Sequence, residues 1–176
     1  MTSRPKNIVY LVGFMGVGKS TVGHRLADGL GCPFFDTDDE VENFCGLKIP
    51  QIFEQQGEQA FRDLETESIT RLKGHDRAVV STGGGIVGRV DNWHVMTQSG
   101  TVVYLHADWP TIESRLVDTS HRPLAKNGTD NDLHLLWQKR LPLYQQADVT
   151  IVTDQLNPQQ VVDEILLALH RGDCLA

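Results

Sequence analysis

Lys19 and Ser20 close a glycine-bracketed run, GFMGVGKST at residues 13–21, that directly follows the apolar stretch Ile8-Val9-Tyr10-Leu11-Val12. A Gly-x-x-x-x-Gly-Lys-Ser/Thr run between a buried strand and a helix is a cradle for phosphate. Its glycines let the backbone curl until several N–H groups converge on one anion. The helix that begins near Lys19 adds its positive end. Lys19 can reach the outer phosphates of a nucleotide, and the Ser20 hydroxyl can sit on Mg²⁺. Gly16, Val17, Gly18 and Thr21 complete the loop around the phosphates. A tight turn without a ligand would not need the Lys-Ser pair. The loop points to a nucleoside triphosphate and leaves the phosphate acceptor open.

Other residues bear on the acceptor. Asp36 and Asp38 stand in Asp-Thr-Asp just after Phe34-Phe35. One carboxylate can serve Mg²⁺ through water, and the other can take a proton from an attacking hydroxyl. The plainer reading is a helix start, since Asp38, Asp39 and Glu40 all suit a first turn at about 39–44. Gly83-Gly84-Gly85 follows the apolar run RAVVST. Three glycines weaken any regular element, so they fit where backbone passes close to a ligand or turns sharply. A flexible linker is the alternative. Arg62, in GEQAFR at 57–62, can grip a carboxylate with two parallel hydrogen bonds, or merely pair with Glu58 or Glu65 one turn away. Arg122 lies in a polar insertion, DTSHRPLAKNGTDN at about 118–131, which reads as a flap that can close over phosphates. Arg115 ends the helix before the flap. Arg140 lies in KRLPLY, where Pro142 is expected to break a helix.

These residues need a scaffold. Strands are expected at 8–12, about 33–35, 77–82, 101–106 and 149–153, rich in Val and Ile with little alternation. Helices are expected between them, at 19–30, 58–72, about 109–117 with Asp108 as its cap, and from Asn157-Pro158 to about Leu169. This alternation predicts an α/β fold, a parallel sheet with helices on both faces, and ligands at the carboxyl ends of the strands. The 176 residues form one domain by length. A net charge of −7 disfavours nucleic acid and requires the few cations to gather in one cleft. Cys32, Cys45 and Cys174 have no metal or disulfide spacing, which suits reduced thiols in a cytoplasmic protein. No apolar run is long enough for a membrane span.

Together the segments resemble the shikimate kinase family: GFMGVGKST, Asp36-Thr37-Asp38, GEQAFR, TGGG at 82–85, R-P-L at 122–124 and R-x-P-L-Y at 140–144, in that order. The resemblance runs from about Asn7 to Leu169. It implies a P-loop NTPase fold with a five-stranded sheet in order 2-3-1-4-5, a substrate-binding segment near 36–64 and a mobile lid near 115–128. It implies transfer of the ATP γ-phosphoryl group to the 3-hydroxyl of shikimate, with one Mg²⁺ ion and with ATP as co-substrate. By that likeness Arg62 and Arg140 hold the shikimate carboxylate, and Asp38 faces the hydroxyls and acts as base. Gly83, Gly84 and Gly85 line the same pocket. Lys19 and Arg122 stabilise the transferring group, and Ser20 and Asp36 organise the metal. Arg115 flanks the adenine opposite the loop 153–158, which includes Asn157. Many members carry an arginine in that loop; this chain has Gln155, Leu156 and Asn157. A monomer acting on shikimate and ATP, without nucleic acid or membrane, is expected. A kinase for another polyol acid such as gluconate would share the loop but lack the joint presence of Arg62, the triple glycine and Arg140. A nucleoside monophosphate kinase is disfavoured by Asp-Thr-Asp after strand two. A nucleotide-binding interaction module would have lost several of these side chains.

Overall fold

The computed structural model describes residues 7–116 and 130–171. Arg122, Cys174 and all of the expected lid beyond Leu116 lie outside the described residues. Five strands form one parallel sheet: β1 (Ile8–Val12), β2 (Phe34–Asp36), β3 (Ala78–Ser81), β4 (Gly100–His106) and β5 (Val149–Val152). Their order is β2-β3-β1-β4-β5, as expected. β1 is buried along its whole length, which explains why it is apolar without alternation. Strand ends differ from expectation by a residue or so. The shift matters only in β2, which includes Asp36 and aligns it with Ser81 on β3.

Helix α1 (Lys19–Leu30) starts at Gly18, whose φ of 97° lies in the left-handed region that favours glycine. Val22, Leu26 and Ala27 pack into the main core. α2 (Thr37–Cys45) begins two residues earlier than expected, directly at the end of β2. Asp36 caps it by accepting a hydrogen bond from the Asp38 amide at 3.0 Å. α3 (Ile49–Leu72) is longer than the expected 58–72. Gly57 (φ 84°, ψ 173°) divides it into two helical stretches, and the second coincides with the expected helix. Val41, Ile52 and Phe61 form a small apolar cluster between α2 and α3, separate from the main core. The segment that carries Asp38 and Arg62 thus has packing of its own.

After the glycines, a short 3₁₀ turn (Ile86–Gly88) leads into α4 (Val90–Ser99). Asn92 and the Trp93 indole donate to the Ile86 and Val87 carbonyls and pin the turn to the helix. α5 (Trp109–Leu116) starts where expected; the Asp108 carbonyl accepts the Thr111 and Ile112 amides at 3.1 Å, and its carboxylate reaches His106. α6 (Asp130–Tyr144) corrects the expected break at Pro142, since the helix continues two residues past the proline. A proline there removes a hydrogen bond from the last turn only, where the chain is about to leave the helix anyway. α7 (Pro158–Arg171) buries Val161, Val162, Ile165 and Leu169. Among the described residues no helix is long and apolar enough to cross a membrane.

The sheet leaves no room where β4 begins. A Cβ on Gly100 would run into the Ile8 carbonyl of the neighbouring strand and lie 2.8 Å from the Tyr10 ring. The carbonyl cannot yield without shifting β1. Gly100→Ala should therefore cost about 2 kcal/mol and lower the melting temperature by roughly 4–8 °C. A thermal unfolding curve checks this, and an unchanged midpoint would show that the two strands are not held so closely.

Candidate active site

The carboxyl ends of β1, β2 and β3 meet at one open cleft of about 160 Å³. Its walls include Gly16, Gly18, Lys19, Ser20 and Thr21 from the phosphate loop, Asp36 and Asp38 from the β2–α2 junction, and Ser81 to Gly84. Residues predicted for the nucleotide and for the acceptor therefore share one cavity.

On the loop side, Gly16 and Gly18 both have positive φ, 81° and 97°. The Lys19 side chain is 8% exposed. Its Nζ donates to the carbonyls of Gly13 (2.8 Å) and Phe14 (3.0 Å), so it lies back across the loop. The Ser20 hydroxyl donates to Asp36 Oδ2 at 2.8 Å, with Ser81 Oγ 3.4 Å away. Val17 turns its side chain into the core, and its carbonyl accepts from Arg115 at 3.4 Å. Arg115 thus stands against the outside of the loop. Asn157 caps α7: its Oδ1 accepts from the Gln160 amide at 3.0 Å and its own amide donates to Gln160 Oε1. It does not line the cleft.

The triple glycine is the meeting point of the other side. None of the three has positive φ, so left-handed backbone is not the reason for glycine there. The reason is close approach. A Cβ on Gly83 would lie 2.7 Å from Glu65 Oε1 and 2.8 Å from Asp38 Oδ1. One on Gly84 would lie 3.4 Å from Arg140 Nη1 and 3.5 Å from the Tyr144 hydroxyl, and one on Gly85 would collide with the Arg62 guanidinium. The tips of Asp38, Glu65, Arg140, Tyr144 and Arg62 therefore crowd the space that side chains would occupy. The linker reading fails on this geometry. The Gly83 amide donates to Thr37 Oγ1 at 2.9 Å and ties the segment to the start of α2.

Arg62 pairs with both glutamates the sequence offered, Glu65 at 2.6 Å and Glu58 at 3.1 Å. It is nonetheless not a solvated surface residue, for its side chain is only 16% exposed. Glu65 is 1% exposed. Burial pushes its carboxyl above the usual range, outweighing the pull of Arg62, Arg140 and Arg89. Among the described residues its Oε1 is buried without a hydrogen-bond partner. Thr37, Glu65 and Tyr144 were not predicted as site residues, although Thr37 stands within the quoted Asp-Thr-Asp, Glu65 was offered as a surface partner of Arg62 and Tyr144 closes R-x-P-L-Y.

A family model, curated relatives and solved structures at 36–45% identity point to one family. The family model described as Shikimate kinase matches residues 15–170. A shikimate kinase of Persephonella marina is 45% identical over 158 residues, which span 90% of this chain and 96% of that protein. The structure of shikimate kinase from Acinetobacter baumannii in complex with shikimate has a TM-score of 0.90 at 36% identity, covering 96% of each chain. The crystal structure of the Aquifex aeolicus shikimate kinase has a TM-score of 0.84 at 39% identity, covering 94% of this chain and 98% of the other.

The glycine geometry generates a test. Gly85→Ala places its methyl against the end of a flexible side chain, so the protein should still fold while the Arg62 guanidinium is displaced. The expected result is an increase of about tenfold or more in Km for a carboxylate-bearing acceptor, as for loss of a charge-assisted hydrogen bond, with ATP affinity within about twofold. Equal losses for acceptor and ATP would contradict the assignment of Arg62 to one side.

Proposed function

The chain belongs to the shikimate kinase family, and we propose that it transfers the γ-phosphoryl group of ATP to the 3-hydroxyl of shikimate. The observation that carries this reading is the triple-glycine segment. It borders the phosphate loop while Arg62, Arg140 and Asp38 converge on it. Shikimate is a small carboxylate with hydroxyls, and it needs a cationic grip at one end and a carboxylate at the other.

In this scheme Arg62 and Arg140 hold the substrate carboxylate with charge-assisted hydrogen bonds. Asp38 faces the hydroxyls from the first turn of α2. The bond between the γ-phosphorus and the ADP oxygen breaks as a bond forms to the 3-hydroxyl oxygen, and the hydroxyl proton leaves toward Asp38. The products are ADP and shikimate 3-phosphate. Because the transition state of phosphoryl transfer is loose, positioning and charge stabilisation matter more than proton removal. Lys19 exchanges its two loop carbonyls for phosphate oxygens. Arg122, outside the described residues, adds a second cation, and Gly16 to Thr21 hold the phosphates. Arg115 and Asn157 remain the candidates for the adenine side.

Mg²⁺ fits the donor set beside the loop. The Ser20 hydroxyl and the Asp36 carboxylate are hard oxygen ligands, with Ser81 Oγ next to them. Two protein ligands leave room for phosphate and water oxygens, the usual company of Mg²⁺. When bound, Mg²⁺ would neutralise charge on the phosphates.

An assay of ADP release with shikimate, quinate and gluconate as competing acceptors tests the reading. Shikimate should have by far the highest kcat/Km; preference for gluconate would replace the proposal with the polyol-kinase alternative. ADP release that no acceptor stimulates would favour the interaction module. In the same assay Asp38→Asn should lower kcat by about a hundredfold or more and leave ATP binding nearly intact. Unchanged turnover would remove Asp38 from the chemistry.

A further inference from the structure

We propose that Tyr144 is a positioning residue for the acceptor side, its hydroxyl fixing the Gly84 peptide and the Arg140 guanidinium relative to each other. The inference rests on the shikimate reading above. Tyr144 is fully buried at the end of α6. Its hydroxyl donates to the Gly84 carbonyl at 2.7 Å. Arg140, one helical turn earlier, comes to the same place: a Cβ on Gly84 would lie 3.4 Å from Arg140 Nη1 and 3.5 Å from the Tyr144 hydroxyl. The phenol therefore stands between two groups from distant parts of the chain, both predicted to contact the substrate.

The anchor behind this oxygen is rigid. The Tyr144 ring stacks on Tyr104, with centroids 5.1 Å apart and planes 17° from parallel. Tyr104 lies on the inner strand β4, and its hydroxyl is paired with His106 Nδ1 at 2.8 Å. The position of the Tyr144 hydroxyl is thus referred to the sheet, although Tyr144 itself sits on a helix. Arg140 is flanked on another side by the Phe14 ring of the phosphate loop, 5.9 Å from its centroid. The Gly84 backbone also borders the loop, since a Cβ there would lie 3.5 Å from the Gly13 carbonyl. Moving Gly84 or Arg140 would therefore disturb the spacing between acceptor and donor.

A phenol in this place has to be paired, because an unpaired buried hydroxyl or carbonyl is costly. Burial holds the phenol protonated, pushing its pKa up to about 12 against the opposing pull of Arg140. It remains a donor to Gly84 at any pH at which the enzyme works. Packing alone would be served equally well by phenylalanine, and this difference makes the role testable.

The test compares Tyr144→Phe, Arg140→Lys and the double variant with the wild-type enzyme. Tyr144→Phe should raise Km for shikimate about tenfold, as for loss of one buried hydrogen bond, while Km for ATP stays within about twofold. The double variant should be no more than about twofold worse than Arg140→Lys alone, because the two residues act as one unit. An unchanged shikimate Km, equal rises for both substrates or multiplying effects would overturn the inference. If Tyr144→Phe does not fold, Tyr104→Leu keeps the hydroxyl but removes its stacking partner. It should give a smaller rise with the same selectivity, and no selective rise would again overturn the inference. A wild-type enzyme inactive on shikimate would overturn both readings, whereas an active wild type with an indifferent Tyr144→Phe overturns only this one.

Discussion

The site depends on the two oxygens of the Asp36 carboxylate. One accepts the Ser20 hydroxyl at 2.8 Å and the other accepts the Asp38 amide at 3.0 Å. The first contact belongs to the phosphate loop. The second starts the helix that presents Asp38. A single carboxylate therefore holds donor and acceptor machinery in one frame, and its own place is set by the parallel register of β2 with β3. Reaction between two bound molecules gains most from such fixed relative placement, where an error of about 1 Å can cost a hundredfold in rate.

Charge follows the same geometry. The chain carries a net charge of −7, yet Lys19 lines the cleft, and Arg140 and Arg62 stand against Gly84 and Gly85 of the segment that borders it. Arg62 is kept in place by Glu65, which is itself almost fully buried. A buried pair of this kind is weak evidence for stability, since desolvation offsets most of the attraction. What it does supply is a guanidinium with a defined direction. The triple glycine complements this arrangement by leaving empty the volume that the side-chain tips require.

Much of this was legible in the sequence. The phosphate loop, the aspartate pair and the glycine triplet follow from local pattern and spacing, the strand order follows from the family resemblance, and the structure places them together. What stayed illegible depends on tertiary packing. Glu65 looks like an ordinary surface partner for Arg62 until α3 is seen packed behind the glycines. Tyr144 looks like a core aromatic until its hydroxyl is seen on Gly84. The helix before Gly57 escaped notice because the glycine interrupts its periodicity, and Pro142 suggested a break because its small cost in a final turn is not visible from residue type. The glycines were read as a place where backbone passes close to a ligand or turns sharply, and the side chains that approach them could not be named without the fold.

The central claim is that this frame aligns the ATP γ-phosphoryl group with one hydroxyl of shikimate. The most direct measurement is ³¹P nuclear magnetic resonance of the product formed from ATP, Mg²⁺ and shikimate, with the phosphate located by its coupling to the ring protons. The account predicts one phosphate monoester, on the 3-hydroxyl, formed in step with ADP. A phosphate on another hydroxyl, a mixture of esters, or ADP and free phosphate without an ester would contradict it.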